Sequence, residues 1–349
     1  MDRSRLFRGM TLAAGAAILL TGCTTVGAGA GSDTAAGSGG SAAPGEMVMV
    51  TVVKAQTIPW FQRMAVGVQD FADETGIDAR QEGADDVSPE KQTAIVQDLI
   101  AQRPTAITVV PNSPESLSNV LAQARQQGII VVSHEASGIE NVDVDIEAFD
   151  NASYGSEIMD NLSECMGGEG KYVQFVGGLT AKTHMEWVEA AYETQQADSP
   201  GMTRVETPIE STDNQETAYE RAKEILAKYP DIAGFQGSAG NDVPGIARAV
   251  QEAGLQDQVC VMGTSIPSVA NQYLADGSID KIFFWDPALA GEAQLSIAKI
   301  LADGGEITEG TDLGVEGYDS LKKLDGFDNV FVGNASVAAD AETAAQYDF

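Results

Sequence analysis

One feature limits the fold more than any other. Short apolar, β-branched runs alternate along the chain with segments whose apolar residues fall at helical spacing. Met47–Val53 is the first such run, and Trp60–Thr75 follows with helical periodicity. A weaker strand is expected around Asp78–Gln81, then a helix over Pro89–Gln102 and a strand over Pro104–Val110. A helix over Pro114–Gln127 leads into the strand Gly128–Ser133. The pattern restarts after Asp150, with Asn151 reading as the cap of a helix over Ser153–Cys165. Strands are then expected at Lys171–Val176, Met202–Ile209, Ile232–Gln236, Val259–Gly263 and Ile279–Trp285. Helices are expected between and after them, at Trp187–Gln196, Glu216–Tyr229, Val243–Glu252, Pro267–Leu274 and Leu289–Ala302, before a strand-like tail. Two successive rounds of this alternation call for an α/β chain with two doubly wound, Rossmann-like lobes, each a parallel sheet wrapped by helices.

Composition narrows the function. The chain is 43% apolar, which is too much for a disordered acidic polymer. It carries 52 acidic against 20 basic residues, a net charge of -32. Such a balance excludes nucleic-acid binding, which needs clustered Lys and Arg, and disfavours docking on anionic lipid. The N-terminus is different in kind. Arg3, Arg5 and Arg8 precede a short apolar run, Met10 to Thr21, and small residues lead to Cys23. That order is the pattern of an export signal over residues 1–22, and its ending at a cysteine resembles a bacterial lipobox. The expectation is lipid on Cys23 and an extracytoplasmic protein held to the cell membrane by that anchor alone. Residues 23–45, rich in Gly, Ser and Ala, are expected to be a flexible tether of roughly 25 Å reach. Gly27, Gly29 and Gly31 lie there without a preceding strand, so they do not form a dinucleotide loop. No other stretch approaches the roughly 18 apolar residues of a membrane span.

In doubly wound sheets, ligands sit beyond the carboxyl ends of the strands, and two lobes place that site in the cleft between them. Lys54, Trp60 and Phe61 follow the first strand. Aromatic faces suit the C–H face of a sugar ring, although Phe61 fits the buried stripe of its helix equally well. After the Gly128–Ser133 strand come His134, which suits a supporting or core position, and Glu135, whose carboxylate can accept from two adjacent hydroxyls. Thr183 and His184 follow the next strand as hydrogen-bonding groups for a neutral ligand. The sequence there is not a phosphate loop, because Val176 and Ala181 stand where that motif needs glycine. Ser238, Gly240, Asn241 and Asp242 read either as a turn and helix cap or as ligand contacts, and Ser265 follows the strand after them. Trp285 and Asp286 repeat the aromatic–carboxylate pairing at a later strand end. No nucleophile elbow, metal cluster or cofactor motif appears, so neither an enzyme, a metal nor a cofactor is expected. Cys165 and Cys260 would share an oxidising compartment, but their spacing leaves bridged and free states both open.

Taken together, the lipobox, Ile58–Met64 (IPWFQRM), Asp98–Leu117, Gly128–Glu135 (GIIVVSHE), Asp150–Asn151, Phe283–Gly291 (FFWDPALAG) and the closing Tyr347–Phe349 carry a resemblance. The chain resembles the type I periplasmic sugar-binding proteins of ABC importers, in the branch of the autoinducer-2 and rhamnose binders. The resemblance implies two lobes joined by three crossovers, near Asp150, Trp285 and residue 320. The first lobe is then 46–150 with 286–320, and the second 151–285 with 321–349. It implies a hinge motion around a small neutral sugar, deoxysugar or polyol, a monomer, and delivery to a membrane permease with its cytoplasmic ATPase. Lys54, Trp60, Phe61 and Glu135 match the family's ligand positions. Thr183-His184 stands where autoinducer-2 binders have Asp-Gln, and Ser238-Ala239-Gly240 where they have Pro-x-Ala. Rival readings are autoinducer-2 binding, ligand presentation to a sensor, and an extracytoplasmic carbohydrate-active enzyme. Replacing Glu135 with alanine is expected to remove binding without unfolding the chain.

Overall fold

A computed structural model describes residues 47–349. The export signal, Cys23 and the tether therefore lie outside the described residues. The first lobe opens with β1 (Val48–Val53), α1 (Pro59–Thr75), β2 (Asp78–Gly83), α2 (Pro89–Gln102), β3 (Ala106–Val109), α3 (Pro114–Gln126), β4 (Ile130–His134) and β5 (Val144–Glu147). The second holds α4 (Asn151–Met166), β6 (Glu169–Val176), α5 (Lys182–Asp198), β7 (Gly201–Arg204), β8 (Ile209–Glu210), α6 (Gln215–Lys228) and β9 (Ile232–Gly237). It continues through α7 (Asp242–Ala253), β10 (Cys260–Thr264), α8 (Pro267–Ala275) and β11 (Lys281–Phe284). The chain then returns to the first lobe with α9 (Pro287–Ala302), β12 (Lys322–Lys323) and β13 (Val330–Val332), and ends in the second with β14 (Val337–Ala339).

The first sheet runs β12-β13-β5-β4-β3-β1-β2 and the second β14-β11-β10-β9-β6-β7, with β8 also on β6. Pairing is parallel except for β12 on β13 and β14 on β11. In each sheet the opening strand has neighbours on both sides, so the winding reverses beside β1 and beside β6. Those reversals splay the following loops apart and leave a crevice at the carboxyl ends. Central strands such as β1, β3 and β10 are apolar almost throughout because helices cover both faces.

Several boundaries differ from the sequence reading, each for a local reason. β5 carries Asp145 and Glu147 and yet is buried along its whole length, so its charges hide a strand from pattern reading. Asp150, not Asn151, caps α4 by accepting from the Ser153 amide at 2.7 Å. The run Met202–Ile209 is divided into β7 and β8, with Pro208 in the gap. The third crossover lies between Val332 and Val337, not near residue 320. β12 and β13 extend the first sheet beyond β5, so residues 322–332 belong to the first lobe. Cys165 and Cys260 form a disulfide that ties the end of α4 to the start of β10, with Cα atoms 6.2 Å apart.

In each lobe helices pack so closely that only glycine fits at the crossing. A Cβ on Gly67 of α1 would lie 1.9 Å from the carbonyl oxygen of Ala288 on α9. A Cβ on Gly155 of α4 would lie 2.3 Å from the carbonyl oxygen of Trp187 on α5. The second contact matters for the cleft, because it fixes the depth at which α5 carries Trp187.

Candidate functional site

The crevice between the sheets closes on a cavity of about 20 Å³, lined from both lobes and from the second crossover. The first lobe supplies Lys54, Ile58, Trp60, Phe61 and Glu135. The second supplies His184, Trp187, Asp213, Ser238, Gly240 and Thr264, and Trp285 comes from the crossover after β11. The volume holds about one water molecule, whereas small-molecule pockets run to roughly 300–1,000 Å³. In this arrangement the cavity has no room for a ligand larger than water.

The polar floor is an ion pair. Lys54 Nζ donates to Glu135 Oε2 at 2.6 Å, and both residues are buried. Burial alone would lower the lysine's pKa, but Glu135 and Asp213 outweigh it and hold the ammonium charged. Asn112 ties the strand end down by donating to the Lys54 carbonyl at 3.2 Å. His134 lies beneath this pair. Its Nδ1 is 2.6 Å from the Ile146 carbonyl, and burial keeps the ring neutral.

The walls are aromatic. The chain has three tryptophans, and all three line this cavity. Trp60 and Trp285 meet edge-to-face at 4.6 Å, and Trp285 also meets Trp187 at 5.8 Å and Phe149 at 5.1 Å. Trp187 is oriented by donating its indole N–H to Asn151 Oδ1 at 2.8 Å. The indole N–H groups of Trp60 and Trp285 are buried without an acceptor. His184 accepts the Gly177 amide at Nδ1, 3.2 Å away. Burial and Lys54 hold its pKa well below the usual value, so the neutral ring keeps its proton on Nε2.

Of the residues singled out from sequence, Lys54, Trp60, Phe61, Glu135, His184, Ser238, Gly240 and Trp285 come together around the cavity. The others are placed outside its lining. Thr183 is buried in the first turn of α5, because that helix starts at Lys182 and not at Trp187. Asn241 donates to the Asp213 carbonyl at 2.9 Å, and Ser265 donates to the Gly240 carbonyl at 2.8 Å. Asp242 accepts the Ser238 and Ala239 amides at 3.1 and 2.9 Å and so shapes the turn into α7. Asp286 caps α9 through the Ala288 amide at 2.8 Å and pairs with Arg63 through two hydrogen bonds. Apart from Thr183, whose buried hydroxyl has no hydrogen-bond partner among the described residues, these polar groups serve the backbone or an ion pair, which is the competing use of Ser, Asn and Asp at strand ends. Four lining residues were not anticipated: Ile58, Trp187, Asp213 and Thr264. Thr264 stood at a strand end beside Ser265, and the rule that pointed to Ser265 applied to it equally. Asp213 lies beyond Glu210, the second residue of a two-residue strand too short to be read as an element of its own.

Two α/β lobes with a three-stranded connection and a closed aromatic cleft define a type I periplasmic binding protein fold. The chain belongs to the periplasmic binding protein domain family, whose model matches residues 49–306. The family is one of solute-binding proteins working outside the cytoplasm, not of enzymes. Among solved structures it is similar to LsrB from Clostridium saccharobutylicum in complex with AI-2, with 18% identity and a TM-score of 0.79. That match covers 87% of this chain and 100% of the other. It is also similar to an ABC transporter solute-binding protein from Clostridium phytofermentas with bound L-rhamnose, at 20% identity, TM-score 0.77 and coverage of 86% and 99%. A carbohydrate transporter solute-binding protein from Agrobacterium radiobacter, in complex with D-arabinose, matches at 18% identity and TM-score 0.74, covering 85% and 95%. No helix among the described residues is long and apolar enough to cross a membrane.

Proposed function

We propose that the chain is the substrate-binding lipoprotein of an ABC importer, taking a small neutral sugar, deoxysugar or polyol into the cleft and passing it unaltered to a membrane permease. The observation that carries this reading is the cavity's lining: the Lys54–Glu135 pair in the midst of three tryptophans, two of them with unused indole N–H donors. A hydroxylated ring matches it. Its C–H faces pack on the indoles, its oxygens accept from the N–H groups, and its hydroxyls donate to carboxylate. Closing the lobes removes water from these groups, so a ligand lacking a hydroxyl leaves a buried group unpaired and binds more weakly. The sugars named in the similar structures support the same class. Attachment through Cys23 to the outer face of the cell membrane completes the reading, because it keeps the clamp beside its permease.

Autoinducer-2 is the second ligand to test, since LsrB in complex with AI-2 is among the similar structures. The neutral His184 and the Ser238–Gly240 turn give this cleft its own donors in place of that branch's residues. The test uses the tryptophans themselves. Titrating the protein with L-rhamnose, D-arabinose, D-galactose, D-tagatose and AI-2 should change indole fluorescence saturably and raise the melting temperature for at least one of them. No response to any sugar or polyol, or turnover of the added sugar, would refute the reading.

A further inference from the structure

The cavity's two carboxylates share a backbone conformation. Among the described residues, the non-glycine positions with positive φ are Arg103, Glu135, Asn141, Thr212 and Asp213. Two of these five, Glu135 and Asp213, line the cavity. Ordinary residues persist in this strained region only where their surroundings enforce it, and such residues cluster at ligand sites.

For Asp213 the enforcement is visible. The Ser211 amide donates to the Val176 carbonyl at 2.9 Å, which anchors the turn to the end of β6. The Asn214 amide closes the turn on the Ser211 carbonyl at 3.2 Å, and the Asn214 side chain caps α6 through the Thr217 amide at 2.9 Å. Asn241 fixes the Asp213 carbonyl from the neighbouring loop. The carboxylate itself is seated on Gly177, where an added Cβ would come within 2.5 Å of Asp213 Oδ2.

All this fastening presents a carboxylate that receives no hydrogen bond from the described residues. Lys54 attracts it, but that ammonium is hydrogen-bonded to Glu135. Burial and the Glu135 charge push its pKa up despite Lys54. A half-buried acid held at positive φ, facing the cavity and without a hydrogen-bond donor among the described residues, has the features of a ligand-reading residue.

We infer that Asp213 is the specificity-determining residue of the second lobe, accepting hydrogen bonds from hydroxyls of the bound sugar while Glu135 reads others from the first lobe. The inference rests on the polyol reading of the cleft. Lobe closure is then coupled to the ligand's donor pattern, because a ligand without hydroxyls for Asp213 leaves that carboxylate dehydrated and unpaired.

The test is Asp213→Asn, with Gly177→Ala as a second variant that keeps the charge but displaces it. Each is titrated calorimetrically with the sugar among L-rhamnose, D-arabinose, D-galactose and D-tagatose that the wild type binds, and melted without sugar. The expected result is at least a tenfold loss of affinity in both variants. Without sugar, Asp213→Asn should melt at or above the wild-type temperature, since it removes an unpaired charge and Asn tolerates positive φ. Unchanged affinity overturns the inference while the polyol reading stands. A lower melting temperature of sugar-free Asp213→Asn also overturns it, by showing that the carboxylate supports the fold. If the wild type binds none of the sugars, the polyol reading itself falls, and this inference with it.

Discussion

The Lys54–Glu135 pair invites a double-mutant cycle, because the structure makes it both a binding group and a structural one. At 2.6 Å and an effective dielectric of about 20, the gross attraction is about 6 kcal/mol. Desolvation of two buried ions offsets much of this, and breaking such a pair from one side typically destabilises by about 3–5 kcal/mol. Glu135→Leu leaves the buried ammonium facing Asp213, whose charge partly compensates it. Lys54→Met instead leaves Glu135 among Asp213 and Glu147 with no cation. Lys54→Met should therefore be the more damaging single change, and the double variant should recover most of the loss, within about 1–2 kcal/mol of wild type. Urea unfolding followed by circular dichroism measures stability, and tryptophan fluorescence with sugar measures binding. All three variants should lose sugar affinity, while only the singles lose much stability. Additive single effects, or a double variant as unstable as their sum, would refute the reasoning. The cycle also corrects a simpler expectation. Because Glu135 is the counter-ion of a buried lysine, Glu135→Ala cannot be read as a pure binding variant.

Two further outcomes follow from buried groups away from the cavity floor. Burial raises Asp145 and Asp242 to about 7 and raises Glu147 well above its usual value, with Glu186 adding repulsion and Lys182 attraction near Asp145. A carboxyl whose pKa is raised on folding stabilises the native state below its unfolded pKa, and that contribution is lost as pH rises through the folded value. Melting temperature should accordingly fall between about pH 4 and pH 7, and Asp145→Asn should flatten the fall; a melting temperature rising across that window would contradict the burial of these acids. Gly155→Ala would set a Cβ 2.3 Å from the Trp187 carbonyl oxygen, forcing α4 and α5 apart. A loss of about 1–3 kcal/mol is expected, with weaker sugar binding because Trp187 shifts; a neutral effect would show that the helices can separate freely.

The alternation of apolar runs and helical periodicity made the two-lobed α/β architecture legible, because strands buried on both faces must be apolar throughout. Elements whose charges are buried escaped that logic. β5 was invisible because Asp145 and Glu147 mark it as surface, whereas hydrogen bonds from the Ser133 hydroxyl and the Ser137 amide hold them inside. The strand-end rule brought Lys54, Trp60, Glu135 and Trp285 to one cavity, since chain direction in a parallel sheet fixes which loops face the cleft. The same rule could not say which polar group at a strand end turns outward to a ligand. Asn241, Asp242, Ser265 and Asp286 were drawn instead to backbone groups or to Arg63.

The order of residues alone decided that this chain forms two parallel sheets and exposes their carboxyl ends to each other, because periodicity and turn chemistry act locally. It also decided the acidity, which follows from composition and needs no fold. The third crossover after β13, the convergence of three tryptophans, and the seating of Asp213 on Gly177 belong to the assembled structure. They depend on contacts between residues far apart in sequence, whose distances are set only when both lobes have packed.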